Sequence, residues 1–278
     1  MLSIADSMLI IGDTHLREDS PRCRTDDYLA AQWRKLDFIM ETAKSRKVKA
    51  ILHAGDLVHI CKNRTTSTFL SEIIDRLKSS IPILLKPGNH DCPNHREDKI
   101  LDGRLSAILS GVPNLSIGCP EGVEMLHTFV WHPDDRPSEK IPGESADEIL
   151  DRTKAQLVIT GDNHQSFVFE REPRLLVNPG SMMRMTSIQA AFRPTIYHWD
   201  GSSVHAIRIP IEKGVVLEDA KEEGDEMDDR MDRFISKMEK SGRIVMDYRT
   251  NMREYLGANP TNSRVSSLIW EAIDGESY

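Results

Sequence analysis

Ile81-Pro82-Ile83-Leu84-Leu85 runs through Lys86 into Pro87-Gly88-Asn89-His90-Asp91, and this junction decides the reading of the fold. The apolar run has the length of a buried strand, so the polar pentapeptide is a loop at its end. Gly88 lets the backbone turn sharply, and Asn89 offers an amide oxygen to a hard cation. His90 offers a nitrogen that can carry a proton, and Asp91 a carboxylate to orient that imidazole from behind. Such groups are costly to bury unpaired, so the loop calls for a metal, a substrate or solvent.

Working outward, the same design occurs twice upstream. Met8-Leu9-Ile10-Ile11 leads into Gly12-Asp13-Thr14-His15, and Ala50-Ile51-Leu52 leads into Gly55-Asp56-Leu57-Val58-His59. A single histidine after a strand is usually a surface or satisfied core residue. Three clusters with glycine, carboxylate or amide, and imidazole, each behind its own apolar run, point instead to one shared site. Two later clusters complete the series: Phe129-Val130-Trp131-His132, and Val158-Ile159-Thr160-Gly161-Asp162-Asn163-His164.

Between the first three clusters the periodicity predicts helices, one from about Asp26 with Leu29, Trp33, Leu36, Ile39, Met40 and Ala43 in phase, another capped by Thr65 or Thr66 with Phe69, Leu70, Ile73, Ile74 and Leu77. Strand alternating with helix predicts a largely parallel sheet with ligands at the carboxyl ends of its strands. After a helix near 97–110 the pattern becomes mainly β, with short strands at Asn114–Gly118, Val123–His132, Leu157–Thr160, Phe167–Phe169, Leu175–Val177, Thr195–Trp199 and Val204–Ile209, and one helix near Ala146–Lys154 capped by Ser145. The expected class is α/β: a two-sheet β-sandwich core flanked by helices. Residues 1–210 are read as the catalytic domain and 211–278 as a small, mainly helical extension or cap, with helices at 226–240, 248–256 and 263–273 beyond the charged run 218–226.

At 278 residues the chain is long enough to bury a full core. No apolar stretch approaches the ~20 residues of a membrane span, and the N-terminus lacks a secretory pattern. Cys23, Cys61, Cys92 and Cys119 are scattered without a Cys-x-x-Cys pair, as expected for reduced thiols in a cytoplasm. The net charge is −8, so no broad basic surface for nucleic acid is implied.

In their order, Asp-x-His, Gly-Asp-x-x-His, Gly-Asn-His-Asp, an isolated histidine and a closing Gly-x-x-His resemble the calcineurin-like metallophosphoesterase superfamily over about residues 8–200. The resemblance implies a phosphoester hydrolase with two divalent ions: Asp13, His15, Asp56 and His164 around one, and Asp56, Asn89, His132 and position 162 around the other. Asp56 bridges, and a water acidified by both ions is the nucleophile. His90 matches the family's proton donor to the leaving oxygen, with Asp91 behind it, and His59 stands near the ligands. His127 is the alternative to His132; an odd offset on one strand puts the two on opposite faces, and His132 is preferred because it ends its apolar run. His53, His95, His198 and His205 are read as structural or surface residues. The chain departs from the family at Asp162, where Gly-His-x-His is usual. An oxygen ligand there tilts the site toward manganese, with magnesium, iron or zinc as alternatives.

Three features resemble the nuclease subunit of SbcCD-type DNA repair complexes and their phage relatives: the Gly-Asp-Leu-Val-His form of the second cluster, Leu176-Val177-Asn178-Pro179-Gly180-Ser181 with Arg184 after it as a phosphate contact, and the C-terminal extension. That implies DNA as substrate, an SbcC-type ATPase as partner and a homodimer, with no membrane association. The alternatives are hydrolysis of small-molecule or nucleotide phosphoesters, and a non-catalytic binding module.

Overall fold

The computed structural model describes residues 2–59, 66–93, 99–100, 103–137 and 142–218. The chain divides into two compact units, Met1–Glu222 and Glu223–Tyr278. All the described residues belong to the first. The helices expected at 226–240, 248–256 and 263–273 lie outside them.

In chain order the elements are β1 (Met8–Ile11), α1 (Tyr28–Ser45), β2 (Ala50–His53), α2 (Ser67–Leu77), β3 (Ile83–Leu85), α3 (Arg104–Gly111), β4 (Leu115–Ile117), β5 (Val123–His127), β6 (Val130–Trp131) and β7 (Glu144–Ser145). Then come α4 (Ala146–Arg152), β8 (Leu157–Gly161), β9 (Phe167–Arg171), β10 (Arg174–Asn178), a 3-10 turn (Ser187–Ala191), β11 (Thr195–Trp199) and β12 (Val204–Arg208). Among the described residues one sheet has the order β12-β11-β1-β2-β3-β4 and a second the order β5-β8-β10-β9, with β6 and β7 forming a small separate pair. β1 to β4 are parallel, and β11 and β12 close the first sheet antiparallel. In the second sheet β5, β8 and β10 are parallel and β9 is antiparallel.

Side-chain alternation explains the layering. In β1, Leu9 and Ile11 join the apolar cluster formed with α1, α2 and α3, whereas Met8 and Ile10 join the one shared with the second sheet. A strand covered on both faces has to be apolar throughout, and all four β1 residues are buried. The inter-sheet core is Met8, Ile10, Ala50, Leu52 and Ala54 against Val123, Met125, Leu157, Ile159 and Val177. Beyond the second sheet, Val158 and Leu176 pack on Ile149 and Leu150 of α4. The result is the expected sandwich between helical layers.

The helices start where the capping residues require. Asp27 accepts a hydrogen bond from the Ala30 amide, Thr66 from Phe69, and Ser145 with Glu148 makes a reciprocal capping box. Two elements differ from expectation. α3 begins only at Arg104, with residues 94–98 and 101–102 outside the described set. The strand expected over Val123–His132 is two strands. β5 pairs with β8 as far as His127 opposite Gly161, where β8 ends and offers no further ladder. The chain then turns at Thr128 and Phe129, and β6 pairs with β7 instead.

Candidate metal centre

Five loops meet at one edge of the sandwich, each following the end of β1, β2, β3, β5 or β8. The Asp13 and Asp56 carboxylates and the His15 ring are buried to within 1% exposure. The backbone is unusual where they meet: His15, Asp56 and Asp162 have φ of 43°, 51° and 79°, a region that costs a non-glycine residue energy and recurs at functional sites. Glycines leave the room. A Cβ on Gly88 would stand 2.1 Å from Asp56 Oδ1, and one on Gly55, whose own φ is 123°, 2.1 Å from His127 Nδ1.

Asp13, His15 and His164 form one group, and Asp56, His127 and Asp162 a second, with the ligand atoms of each within 4.8 Å of one another. Asp56 joins them: its Oδ2 lies 3.5 Å from His15 Nε2 and 3.2 Å from His127 Nε2. His15 Nε2 and His164 Nε2 face each other at 3.0 Å. Asn89 Oδ1 is 3.0 Å from His127 Nε2, and the Asp162 amide donates to Asp13 Oδ2 at 3.1 Å. Asp162 thus stands beside Asp56 and His127.

His127, and not His132, stands beside Asp56 and Asn89. His127 ends β5, and its Nδ1–H donates to the Ala54 carbonyl at 2.9 Å, which turns Nε2 toward Asp56 and Asn89. His132 packs edge-on against Phe167 and Phe169 and lies 3.6 Å from Asp134. The break between β5 and β6 is the physical reason, since it carries His132 away from the end of β8.

Two further expectations are corrected. Asp91 does not back the His90 ring: its buried carboxylate accepts from the amides of Leu57, Val58 and Gly88 at 3.2, 3.1 and 3.0 Å, clamping the second loop to the third. The group behind His90 is the His59 carbonyl, to which His90 Nδ1–H donates. Arg184 does not face the site. It is buried, and its guanidinium donates to the carbonyls of Ala190 and Glu212. In Asn178–Ser181, the Asn178 side-chain amide donates to the carbonyls of Asn163 and Gln165 at 2.7 and 2.6 Å, and the Ser181 amide to that of His164. That segment therefore shapes the His164 loop. His59 lies where a supporting residue was expected, its Nδ1 3.3 Å from His15 Nδ1, its ring stacked on His90 and its Nε2 accepting from Arg17 at 2.9 Å.

The electrostatics ask for cations. Burial, then the Asp56 and Asp162 carboxylates, hold the Asp13 carboxyl well above its ordinary range against the pull of His127. Burial disfavours charge on His127, but Asp56, Asp13 and Asp162 outweigh it and raise its pKa well above normal. Burial keeps His15 neutral and pushes His164 down to about 4. Asp13 Oδ1 is buried without a hydrogen-bond partner, an expense that a cation relieves. Imidazoles that have given up their proton, carboxylates and an amide oxygen are the donor types that manganese and similar divalent ions accept. The residues present therefore fit two divalent ions.

Residues 7–196 match the calcineurin-like phosphoesterase superfamily domain. Among curated proteins none matches the chain. Similar solved structures include an archaeal phosphodiesterase, at 18% identity and TM-score 0.41, covering 73% of this chain and 99% of that one. A metallophosphoesterase from Sphaerobacter thermophilus shows 15% identity and TM-score 0.42, covering 74% and 89%. A phosphoesterase from E. coli shows 10% and 0.36, covering 73% and 100%. With the domain match spanning more than half its length and the ligand loops in their order, the chain belongs to the calcineurin-like phosphoesterase superfamily.

Proposed function

We propose that the chain is a two-metal phosphodiester hydrolase, that manganese is its preferred ion and that DNA is its substrate. The observation that carries the two-metal reading is Asp56, one buried carboxylate shared between the His15 side and the His127 side. Asp13, His15, Asp56 and His164 would hold one ion, and Asp56, Asn89, His127 and Asp162 the other. Two such ions supply Lewis acidity toward the phosphoryl oxygens and lower the pKa of an attacking water.

His90 supplies the proton. Its amide is fixed on Asp56 Oδ1 at 2.9 Å, and its Nδ1–H on the His59 carbonyl. Nε2 is then the nitrogen that delivers a proton to the leaving oxygen as the phosphorus–oxygen bond breaks, and solvent restores it. His59 and Arg17, beside this ring, are held in place by Asp19, whose carboxylate grips the Arg17 guanidinium at 2.9 and 2.6 Å.

DNA is supported by the Gly55–His59 motif, whose form resembles that of the SbcCD-type nucleases, and an SbcC-type ATPase is the partner that resemblance proposes. Hydrolysis of small phosphodiesters is the second reading. It is favoured by the net charge of −8 and by the structural uses of Arg184 and Asn178. Labelled linear single- and double-stranded DNA and bis(p-nitrophenyl) phosphate, each incubated with manganese, decide between them. Degradation of DNA is expected; turnover of the small diester alone establishes the second reading, and turnover of neither contradicts both.

A further inference from the structure

We propose that His53 and Thr14 are positioning residues for the metal centre, a two-residue hydrogen-bond relay that holds the Asp13–His15 loop at a set distance from the Gly55–Asp56 loop. The proposal rests on the metal-centre reading above.

His53 is the last residue of β2 and is 1% exposed. Its strand-mates on the helix side of the sheet are apolar, Ile51 beside it and Ile11 opposite it on β1. An imidazole there must satisfy both its nitrogens within the protein, and each partner fixes the direction of its bond. The Gly55 amide can only donate, and it points at His53 Nδ1 at 3.2 Å. Nδ1 therefore accepts, so the ring is neutral and its hydrogen is on Nε2. Nε2–H donates to Thr14 Oγ1 at 3.1 Å, and the Thr14 hydroxyl donates in turn to the Leu57 carbonyl at 2.9 Å. No other assignment of protons satisfies this chain, because a carbonyl cannot donate and an amide N–H cannot accept.

The relay begins and ends in the loop that follows β2 and passes through the middle of the loop that follows β1. Thr14 is flanked by Asp13 and His15, and the segment Gly55–Leu57 contains Asp56. His15 and Asp56 both occupy the left-handed backbone region, as does Gly55 at φ 123°, so neither loop rests in its own preferred conformation. Four main-chain bonds, Ala54 N–H to Ile11 O at 2.9 Å, His15 N–H to Asp56 O at 2.9 Å, Leu16 N–H to Leu57 O at 3.0 Å and His59 N–H to Leu16 O at 3.1 Å, prolong the strand ladder between the loops. The relay is a side-chain link that adds to them, and its acceptor is the Leu57 carbonyl next to Asp56. Residues that orient ligands from behind typically affect metal affinity 10- to 100-fold. A role confined to folding would lower the melting temperature and leave affinity unchanged.

The test compares the full chain with Thr14→Val and Thr14→Ser. Valine keeps the shape but neither accepts from His53 nor donates to Leu57; serine keeps the hydroxyl. Manganese binding by calorimetry and melting of the metal-free proteins are measured together. The expected result is a dissociation constant ~10- to 100-fold higher for Thr14→Val, with Thr14→Ser restored toward the parent. Imidazole nitrogen NMR of the metal-free parent is expected to show His53 with hydrogen on Nε2 alone. Parent-like affinity in Thr14→Val, or hydrogen on His53 Nδ1, overturns the proposal while leaving the metal centre standing. A parent that binds no manganese overturns the metal centre, and the relay's role with it. Should Thr14→Val not fold, Thr14→Ala, which also lacks the hydroxyl, is read by the same criteria beside the parent spectrum.

Discussion

Replacing Gly88 with alanine adds a single methyl group where the structure has no space for one. The new Cβ would lie 2.1 Å from Asp56 Oδ1, 2.5 Å from the Asp56 amide nitrogen and 2.7 Å from its carboxyl carbon. Gly88 is not among the residues with positive φ, so the backbone itself accepts alanine and the effect is one of contact alone. Ordinary contact begins at 3.4 Å, so the carboxylate or the third loop must yield by about 1.3 Å, and a misplacement of ~1 Å at a reacting centre costs on the order of 100-fold. The neighbour cannot swing aside cheaply, because it is the buried bridging carboxylate and its own main chain. Gly88→Ala is therefore expected to lose ~100-fold or more in bis(p-nitrophenyl) phosphate turnover and to bind manganese correspondingly more weakly, with a parent-like circular dichroism spectrum. Full affinity and full rate would show that Asp56 is not held against Gly88 as described, and the argument for a bridging carboxylate would fail.

Four other substitutions probe single assignments. His127→Ala is expected to lose one metal equivalent and His132→Ala to keep two, read by metal analysis after dialysis; the reverse pattern would restore His132 as the ligand. His90→Ala is expected to retain both ions and to lose ~100- to 10,000-fold in turnover, and loss of an ion would place His90 among the ligands. Asp162→His is expected to shift the activity maximum from manganese toward zinc or iron, because it exchanges an oxygen ligand for a nitrogen; an unchanged preference in a metal titration would show that Asp162 only forms the turn.

Much of this arrangement was legible in the sequence because it is local. The run Met8–Ile11 is buried on both faces, and the same four residues announce a central strand before Asp13. Likewise Gly55–Asp56 and Asn89–His90 directly follow their strands, so their place at the sheet edge follows from chain order alone. The misreadings concern residues whose surroundings come from distant parts of the chain. His132 is preferred over His127 because it ends an apolar run, and placing the two on opposite faces treats Val123–His132 as one continuous strand. It stops because β8 stops at Gly161, a fact of pairing rather than of local pattern. Gly161 leaves room for the ring there: a Cβ on it would lie 2.7 Å from His127 Nδ1 and 2.9 Å from Asp13 Oδ1. Asp91 follows His90 in sequence, but the turn sends its carboxylate to two amides of the second loop, Leu57 and Val58, and to one of its own, Gly88. Arg184 looks like a phosphate contact until residues 190 and 212 cover it.

The most direct test of the two-metal reading is anomalous diffraction from crystals of the full chain grown with manganese. Two peaks are expected, one among Asp13, His15, Asp56 and His164, the other among Asp56, Asn89, His127 and Asp162, with Asp56 touching both. A single peak, no peak, or a second peak beside His132 would contradict the two-metal centre described here.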